Sequence, residues 1–194
     1  MKTACIDEIK EWLRLNLTAE KYVHSLGTAE AARAIAKKRG YDEDKAYFAG
    51  LVHDCAKNLS HDELLALIER APFELQEGET CNGKILHAPA GAVFAREKFE
   101  ISDEEILSAV RWHTLGRVGM TELEKIIFLA DKIEPETRGR EAYEERLKSL
   151  DTPDGLEKEI LECYAYTIKS LVDRRLKICS QTIDVYNYLL KFSK

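Results

Sequence analysis

The stretch Ala49-Gly50-Leu51-Val52-His53-Asp54-Cys55-Ala56 places an adjacent imidazole and carboxylate inside an apolar run. Ala49 and Gly50 carry almost no side chain and allow a neighbouring helix to approach closely, so His53 and Asp54 are predicted to lie in the interior. Burying an ionised carboxylate is costly unless a cation or several hydrogen bonds satisfy it. Adjacent helical side chains point about 100° apart, so both residues reach one ion only near its edge. The simplest interpretation is that Asp54 bridges two ions.

Asp131 lies in a second apolar run, after Ile126-Ile127-Phe128-Leu129-Ala130 and before Lys132-Ile133. Its carboxylate is therefore predicted to be buried, with either an ion pair or a metal ion as its partner. The fifth histidine of the chain, His61, lies in the first turn of a predicted helix among acidic residues and is expected to be solvated or to cap that helix. The other four histidines occur in settings that suggest a common role, and they are His24, His53, His87 and His113.

These six side chains form a donor set of four imidazoles and two carboxylates. Any one of the histidines alone is more often a hydrogen-bonded core or surface residue, so the metal hypothesis depends on their combination. Such donors suit iron or manganese, and no set of thiolates favours structural zinc. Two octahedral ions offer about twelve positions, of which six ligands with a bridging Asp54 fill about seven. The open positions predict a catalytic centre rather than a structural one.

Apolar residues recur at three and four positions along nearly the whole chain, which predicts an all-α fold. The pairs Ser60 with Glu63, Ser102 with Glu105 and Thr121 with Glu124 match the capping box at a helix start. The stretch 71–84 holds Pro and Gly and is predicted to be a loop. The predicted helices are 4–15, 19–39, 43–56, 61–70, 87–100, 103–113, 122–134, 141–149, 153–178 and 181–192.

The end of the chain requires a choice between one long helix and two shorter ones. Residues 156–194 contain neither Gly nor Pro. One helix of that length would overhang a domain of this mass, so we expect a break near Ser180, with Ser180 or Thr182 as the cap. The tyrosines of these helices are expected to pack against apolar neighbours, with base stacking as the alternative, and they are Tyr164, Tyr166, Tyr186 and Tyr188.

The length, net charge and cysteine content of the chain limit its domain organisation and the kinds of partner that it can bind. The chain has 194 residues, which predicts a single domain spanning 1–194. Its net charge of −6 disfavours a nucleic-acid polymer as partner, and no apolar stretch reaches the length of a membrane span. The five scattered cysteines form no C-x-x-C pair, so we expect no disulfide framework and a reducing cytoplasm. A small molecule is the expected partner, and assembly as a homodimer is left open.

Five ordered blocks carry a resemblance to a known family. The chain resembles the HD-domain metal-dependent phosphohydrolases and is more narrowly similar to the YqeK family of bacterial symmetrical diadenosine-tetraphosphate hydrolases. The resemblance covers about residues 18–140, which we take as the metal-binding core. The blocks are His24, the stretch 49–57 around His53-Asp54, Leu86-His87-Ala88-Pro89, Trp112-His113-Thr114 and Leu129-Ala130-Asp131-Lys132-Ile133-Glu134-Pro135.

The resemblance implies an HD-domain helical bundle with extra C-terminal helices and two divalent metal ions, iron in the family and manganese as the alternative. It implies His24, His53, Asp54 and Asp131 around one ion, and Asp54, His87 and His113 around the other. A metal-activated water would then cut diadenosine tetraphosphate symmetrically into two ADP. The alternatives are an HD phosphohydrolase acting on nucleoside mono- or triphosphates, a di-iron oxygenase and a binding module without catalysis. The family tends to have a glycine at Ala88 and a threonine at Leu115, and neither change removes a ligand.

Residues near the ligands are candidates for substrate contact. Lys57 is four positions after His53, on the same face if the helix continues, and is interpreted with Asp54 as catalytic. A solvated lysine at a helix end is the alternative interpretation of Lys57. The candidate substrate-binding residues are Thr114, Arg117, Arg138 and Arg140. Surface charge is the default interpretation of the three arginines, and a hydrogen bond within its own helix end explains Thr114 equally well.

Overall fold

The computed structural model describes residues 5–192, and this part of the chain is built from α-helices without a strand. The predicted all-α fold is confirmed. The α-helices are α1 Ile6–Asn16, α2 Ala19–Arg39, α3 Glu43–Val52, α4 His61–Ile68, α5 Glu77–Thr80, α6 His87–Lys98, α7 Glu104–Trp112, α8 Glu122–Ile133, α9 Pro135–Arg138, α10 Arg140–Ser149, α11 Gly155–Asp173 and α12 Ser180–Leu189.

Two of the three predicted capping boxes are present. Ser60 and Thr121 each accept a hydrogen bond from the backbone N–H three residues later, and the glutamate at that position accepts one from the backbone N–H of the cap residue. The prediction for Ser102 is wrong, because the cap of α7 is Asp103. Its carboxylate accepts hydrogen bonds from the backbone N–H groups of Glu105 and Ile106. Asp and Ser are comparably good caps, so the sequence did not separate the two neighbouring positions.

The centre of the molecule is formed by α2, α3, α7 and α8. Helix α8 is buried over most of its surface, and Ile127 and Leu129 are fully buried within it. Helices α2 and α3 pack closely because Gly50 faces the backbone of α2 at Thr28 and Ala29. The prediction that Gly50 allows close helix contact is confirmed. These packed helices carry histidines and aspartates into the interior.

The C-terminal region is divided near the predicted position. Helix α11 ends at Asp173, Arg175 adopts a left-handed backbone conformation with φ of 53°, and α12 begins at Ser180. The predicted helix 153–178 is therefore too long at its C-terminal end. The predicted cap is also wrong, because Cys179 occupies the N-cap position without a side-chain hydrogen bond.

The stretch 71–84 is less irregular than predicted. It contains the short helix α5 and the start of a 3₁₀ turn at Gly83–Ile85. Cys81, directly after α5, forms a disulfide bond with Cys179 at the start of α12. The expectation of no disulfide is thus wrong for this pair. The two cysteines are 98 positions apart and meet only because α5 and α12 pack together.

No helix between residues 5 and 192 combines the length and apolar character needed to cross a membrane. This finding agrees with the absence of a long apolar stretch in the sequence.

Candidate metal centre

Six polar side chains from separate helices converge on one interior region. His24 lies within α2, Asp131 is near the end of α8, and His53 and His113 directly follow α3 and α7. Asp54 follows His53, and His87 is the first residue of α6. The structure brings together all the residues that the sequence predicts as ligands, and none is more than 9% exposed: His24, His53, Asp54, His87, His113 and Asp131.

The imidazole rings are held in one orientation by the backbone. The Nδ1 atoms of His53, His87 and His113 each lie 2.7 Å from the carbonyl oxygen three positions earlier. A carbonyl only accepts, so each Nδ1 donates a proton, and in the neutral form of each ring Nε2 is the unprotonated nitrogen. The Nδ1 of His24 lies 3.0 Å from the Glu134 carboxylate, which has the same effect. All four rings therefore present Nε2 as a potential metal ligand.

One part of the centre is built around Asp131. Its Oδ1 atom lies 2.9 Å from Nε2 of His24 and 3.7 Å from Nε2 of His53. The three donor atoms lie within 4.8 Å of one another. This group is compact enough to hold a single cation.

The other part is built around Asp54. Its Oδ1 atom lies 3.2 Å from Nε2 of His87 and 3.3 Å from Nε2 of His113, and its Oδ2 atom lies 3.5 Å from Nε2 of His53. The two carboxylate oxygens thus face different histidines. This arrangement suits a carboxylate that bridges two ions.

The donor set fits two divalent cations. With the Nδ1 protons committed elsewhere, the lone pairs of Nε2 atoms and carboxylate oxygens face one another in a buried space. His53 Nε2 and Asp54 Oδ1 are buried without a hydrogen-bond partner among residues 5–192. Buried polar atoms without partners are costly, and converging acceptors are satisfied by a cation. Cys55 is no competing ligand, since its Sγ lies 3.6 Å from the carbonyl oxygen of Gly91.

The pKa values of the buried carboxylates and imidazoles also indicate a centre that attracts positive charge. Burial alone would raise the pKa of Asp54 and of Asp131, but the charges of His53 and Lys132, respectively, hold both pKa values well below the ordinary range. Burial would lower the pKa of His53, yet the two carboxylates raise it to about 10. Burial lowers the pKa of His113 to about 4. Without metal, a proton on His53 therefore balances part of the negative charge that a cation would balance.

Lys57 and Thr114 lie beside the Asp54 part of the centre. Lys57 Nζ is 2.8 Å from Nε2 of His87 and 3.3 Å from Oδ1 of Asp54, and its side chain is 35% exposed. Thr114 Oγ1 is 2.9 Å from Nε2 of His113. Helix α3 ends at Val52, so the predicted helix 43–56 is too long, and Lys57 reaches the centre from a turn. Both side chains bring hydrogen-bond donors to the rim of the centre.

The three candidate arginines have different surroundings. Arg117 is committed to the fully buried Glu124 at 2.9 Å, and Arg140 pairs with Glu136 at 3.3 Å on the surface. The exposed guanidinium of Arg138 has no ion pair or hydrogen bond among residues 5–192. Of the three, Arg138 is therefore the one whose charge is available to a ligand.

Glu134 is a residue whose role the sequence reasoning missed. It is fully buried, holds Nδ1 of His24, and accepts hydrogen bonds from the backbone N–H groups of Glu136 and Thr137 at the start of α9. One carboxylate thus connects a metal-ligand helix to α9. The sequence did contain an indication of this role, because Glu134 directly precedes Pro135. Proline favours the first position of a helix, and a carboxylate in the position before it can accept hydrogen bonds from the first turn.

A helical domain with imidazoles and carboxylates converging on a buried centre is typical of metal-dependent hydrolases. The HD domain family matches residues 22–136, and this range includes all six candidate ligands. The chain belongs to the HD domain family.

Within this family, the chain is similar to enzymes with a common name. It is 38% identical over 175 residues to a symmetrical bis(5'-nucleosyl)-tetraphosphatase of Halalkalibacterium halodurans, and the match covers 90% of this chain and 91% of that protein. It is 33% identical over 189 residues to the protein of the same name from Bacillus subtilis, covering 96% and 98%.

A solved structure from Clostridium acetobutylicum has the same architecture. It is described as a "predicted HD superfamily hydrolase involved in NAD metabolism" and is 36% identical to this chain. The superposition has a TM-score of 0.88 and covers 98% of this chain and 99% of that one. The similarity therefore includes the C-terminal helices as well as the metal-binding core.

Proposed function

We propose that this protein is a metal-dependent hydrolase that cleaves diadenosine tetraphosphate symmetrically into two ADP. The observation that carries the proposal is the convergence of four Nε2 atoms and two carboxylates, with Asp54 Oδ1 left without a hydrogen bond. The HD family and the names of the relatives support the reaction class and the substrate.

The six ligands would hold two divalent ions, which we propose are iron, with manganese as the alternative. Bound metal lowers the pKa of a coordinated water and neutralises phosphoryl oxygens. Asp54 contributes by presenting its two oxygens to different histidines, which fixes the separation of the two halves of the centre. The Nδ1 hydrogen bonds keep the rings oriented, so no reorganisation is needed when substrate enters.

Lys57 and Thr114 are proposed to contact the reacting phosphate. The ammonium group of Lys57 donates hydrogen bonds and supplies a positive charge beside Asp54. The Thr114 hydroxyl donates from the neighbouring side. Cleavage in the middle of the tetraphosphate releases ADP, whose charge is spread over phosphate oxygens, so strong general-acid assistance is not required.

Among the arginines, we propose Arg138 as the phosphate contact. Bidentate binding of phosphate requires a free guanidinium, which Arg138 has. Arg117 and Arg140 would first have to leave Glu124 and Glu136. Leaving Glu124 uncompensated is costly because it is fully buried.

Chromatography of the products tests the reaction. Protein purified without chelator should convert diadenosine tetraphosphate to ADP as the sole nucleotide product. ATP with AMP, or free phosphate, would reject symmetrical cleavage and favour another HD phosphohydrolase. Oxygen-dependent consumption would favour an oxygenase, and absence of bound metal would favour a binding module.

A matched pair of variants tests the metal centre. Asp54→Asn should lose bound metal and reduce turnover at least about 100-fold, because it removes one carboxylate charge from both halves of the centre. His61→Ala should keep both metal content and turnover, since His61 is exposed on α4. Equal losses in the two variants would contradict the ligand assignment.

We also propose a cytoplasmic location, where nucleotides are made and used. Disulfides are rare in that compartment, so Cys81 and Cys179 would be reduced there. Alkylation of thiols in cells that are quenched and denatured in acid checks this, and protection of both cysteines from alkylation would contradict it.

A further inference from the structure

A cavity of about 520 Å³ lies between α8, α9, α10 and α11, and its lining residue Lys132 contacts the proposed metal ligand Asp131. Its volume lies in the range that small-molecule sites occupy. No acidic side chain of residues 5–192 lines it. The side chains that matter for its chemistry are Lys132, Arg138, Tyr143, Arg146 and Tyr166.

Two connections join this cavity to the metal ligands. Lys132 lines the cavity, and its Nζ atom lies 2.5 Å from Oδ2 of Asp131. Arg138 lies at the end of α9, whose first turn is held by Glu134, the same carboxylate that holds His24. The side chain of Lys132 therefore connects the cavity directly to Asp131, and Glu134 connects α9 to His24.

The cavity carries positive charge that the protein does not fully neutralise. The guanidinium of Arg138 is exposed and has no ion pair or hydrogen bond within the described chain. Arg146 makes a longer ion pair with Glu159, at 3.4 Å, and its Nη1 lies 3.2 Å from Sγ of Cys163. Lys132 forms an ion pair with Asp131. Three cations around one space provide a site for an anion with several phosphate oxygens.

Two tyrosines add a surface for an aromatic ring. Tyr143 is half-buried, and Tyr166 is 75% exposed at the edge of the cavity. The expectation that Tyr166 packs against apolar neighbours is therefore wrong, whereas Tyr164 is buried and stacks on Phe128. An exposed aromatic ring beside phosphate-binding cations suits a nucleotide, because a base can stack on it.

A second large cavity lacks these features. It has a volume of about 440 Å³ and lies between α6 and α7. Its arginines are already paired, Arg96 with Glu104 and Arg111 with the buried Glu79. It therefore offers less available charge to a phosphate.

We propose that the 520 Å³ cavity binds one nucleoside diphosphate half of the substrate. Lys132, Arg138 and Arg146 bind its phosphates, and Tyr143 and Tyr166 contact its base. This inference rests on the proposed function and adds the place where one ADP half is held.

Calorimetric titration of ADP tests the cavity independently of turnover. Arg138→Gln and Arg146→Gln should each weaken ADP binding to the metal-loaded enzyme about tenfold or more, and should raise KM for diadenosine tetraphosphate more than they lower kcat. Lys148→Gln is the matched control, because Lys148 is exposed two positions after Arg146 and points to another face of α10. It should bind ADP like the wild type.

The two arginine variants separate binding from folding. Arg146→Gln also removes the ion pair with Glu159, so its helix content is checked by circular dichroism. Arg138→Gln removes no side-chain hydrogen bond or ion pair within the described chain and remains informative if Arg146→Gln fails to fold. If Arg138→Gln and Lys148→Gln have equal ADP affinity and KM while the wild type still forms ADP, the cavity is not the binding site and the proposed function stands. If the wild type forms no ADP, the proposed function fails and this assignment fails with it.

Discussion

Replacement of Gly50 by alanine tests how the fold holds together α2, which contains the proposed ligand His24, and α3, which directly precedes the proposed ligand His53. A Cβ atom on Gly50 would lie 2.9 Å from Cα of Ala29, 3.0 Å from the carbonyl oxygen of Thr28 and 3.2 Å from N of Ala29. These atoms belong to the backbone of α2, so no side-chain rotation relieves the contact. Ordinary contact begins at 3.4 Å, so α2 and α3 must separate by about 0.5 Å.

The expected loss of stability follows from two opposing terms. Alanine in place of glycine favours a helix by about 1 kcal/mol. Overpacking costs about 1–3 kcal/mol, and contact with an unyielding backbone lies at the upper end of that range. The net loss is about 1–2 kcal/mol, which lowers Tm by about 2–8 °C for a chain of this length. Because His24 lies on α2 and His53 follows α3, metal affinity should fall as well.

Gly91→Ala provides the matched control. Gly91 also lies within a helix, but its added Cβ would meet Val110 at 3.4 Å and the carbonyl oxygen of His53 at 3.7 Å, which are ordinary contacts. Helix propensity then decides the sign, and Tm should rise by about 2–4 °C. Thermal unfolding of metal-free protein by circular dichroism measures both variants. A Tm for Gly50→Ala as high as that of Gly91→Ala would refute the close-packing argument.

Two further predictions concern stability. Lys45 Nζ and Tyr41 Oη donate to Glu105 at 2.6 and 2.7 Å, and the hydrogen bond from Lys45 above all lowers the pKa of Glu105 below its ordinary 4.5. This stabilisation is complete above the unfolded-state pKa and is lost as pH falls through the lower folded-state pKa. The free energy of unfolding in urea should therefore be lower for Glu105→Gln than for the wild type by at most about 1 kcal/mol at pH 7. This difference should become smaller towards pH 3, and a difference that stays constant with pH would contradict the prediction. Reduction of Cys81–Cys179 should lower the free energy of unfolding by about 2–5 kcal/mol, because the bond closes a loop of 98 residues; equal urea midpoints with and without reductant would argue against it.

The parts of the fold that depend on local chemistry could be predicted from the sequence. Thr121 with Glu124 marks the start of α8, and the apolar run before Asp131 indicates burial of that helix. Gly50 next to the apolar residues before His53 indicates close helix packing. These predictions succeed because the relevant interactions lie within a few positions of one another along the chain.

The parts that depend on tertiary contacts could not be predicted from spacing. Cys81 and Cys179 carry no pattern that pairs them, and their bond requires α5 to reach α12. Arg117 and Arg138 each lie next to a glycine in the sequence, and only the fold shows that Arg117 pairs with Glu124. Glu134 holds His24 across 110 positions, so its role became visible only when α2 and α9 were brought together.

The most direct test of the central claim is an anomalous-difference map from crystals of metal-loaded protein. Two separate peaks are expected, one between His24, His53 and Asp131, and the other between Asp54, His87 and His113, with Asp54 reaching both. A single peak, or metal bound elsewhere with these side chains still hydrogen-bonded to one another, would contradict a two-metal centre built from these residues.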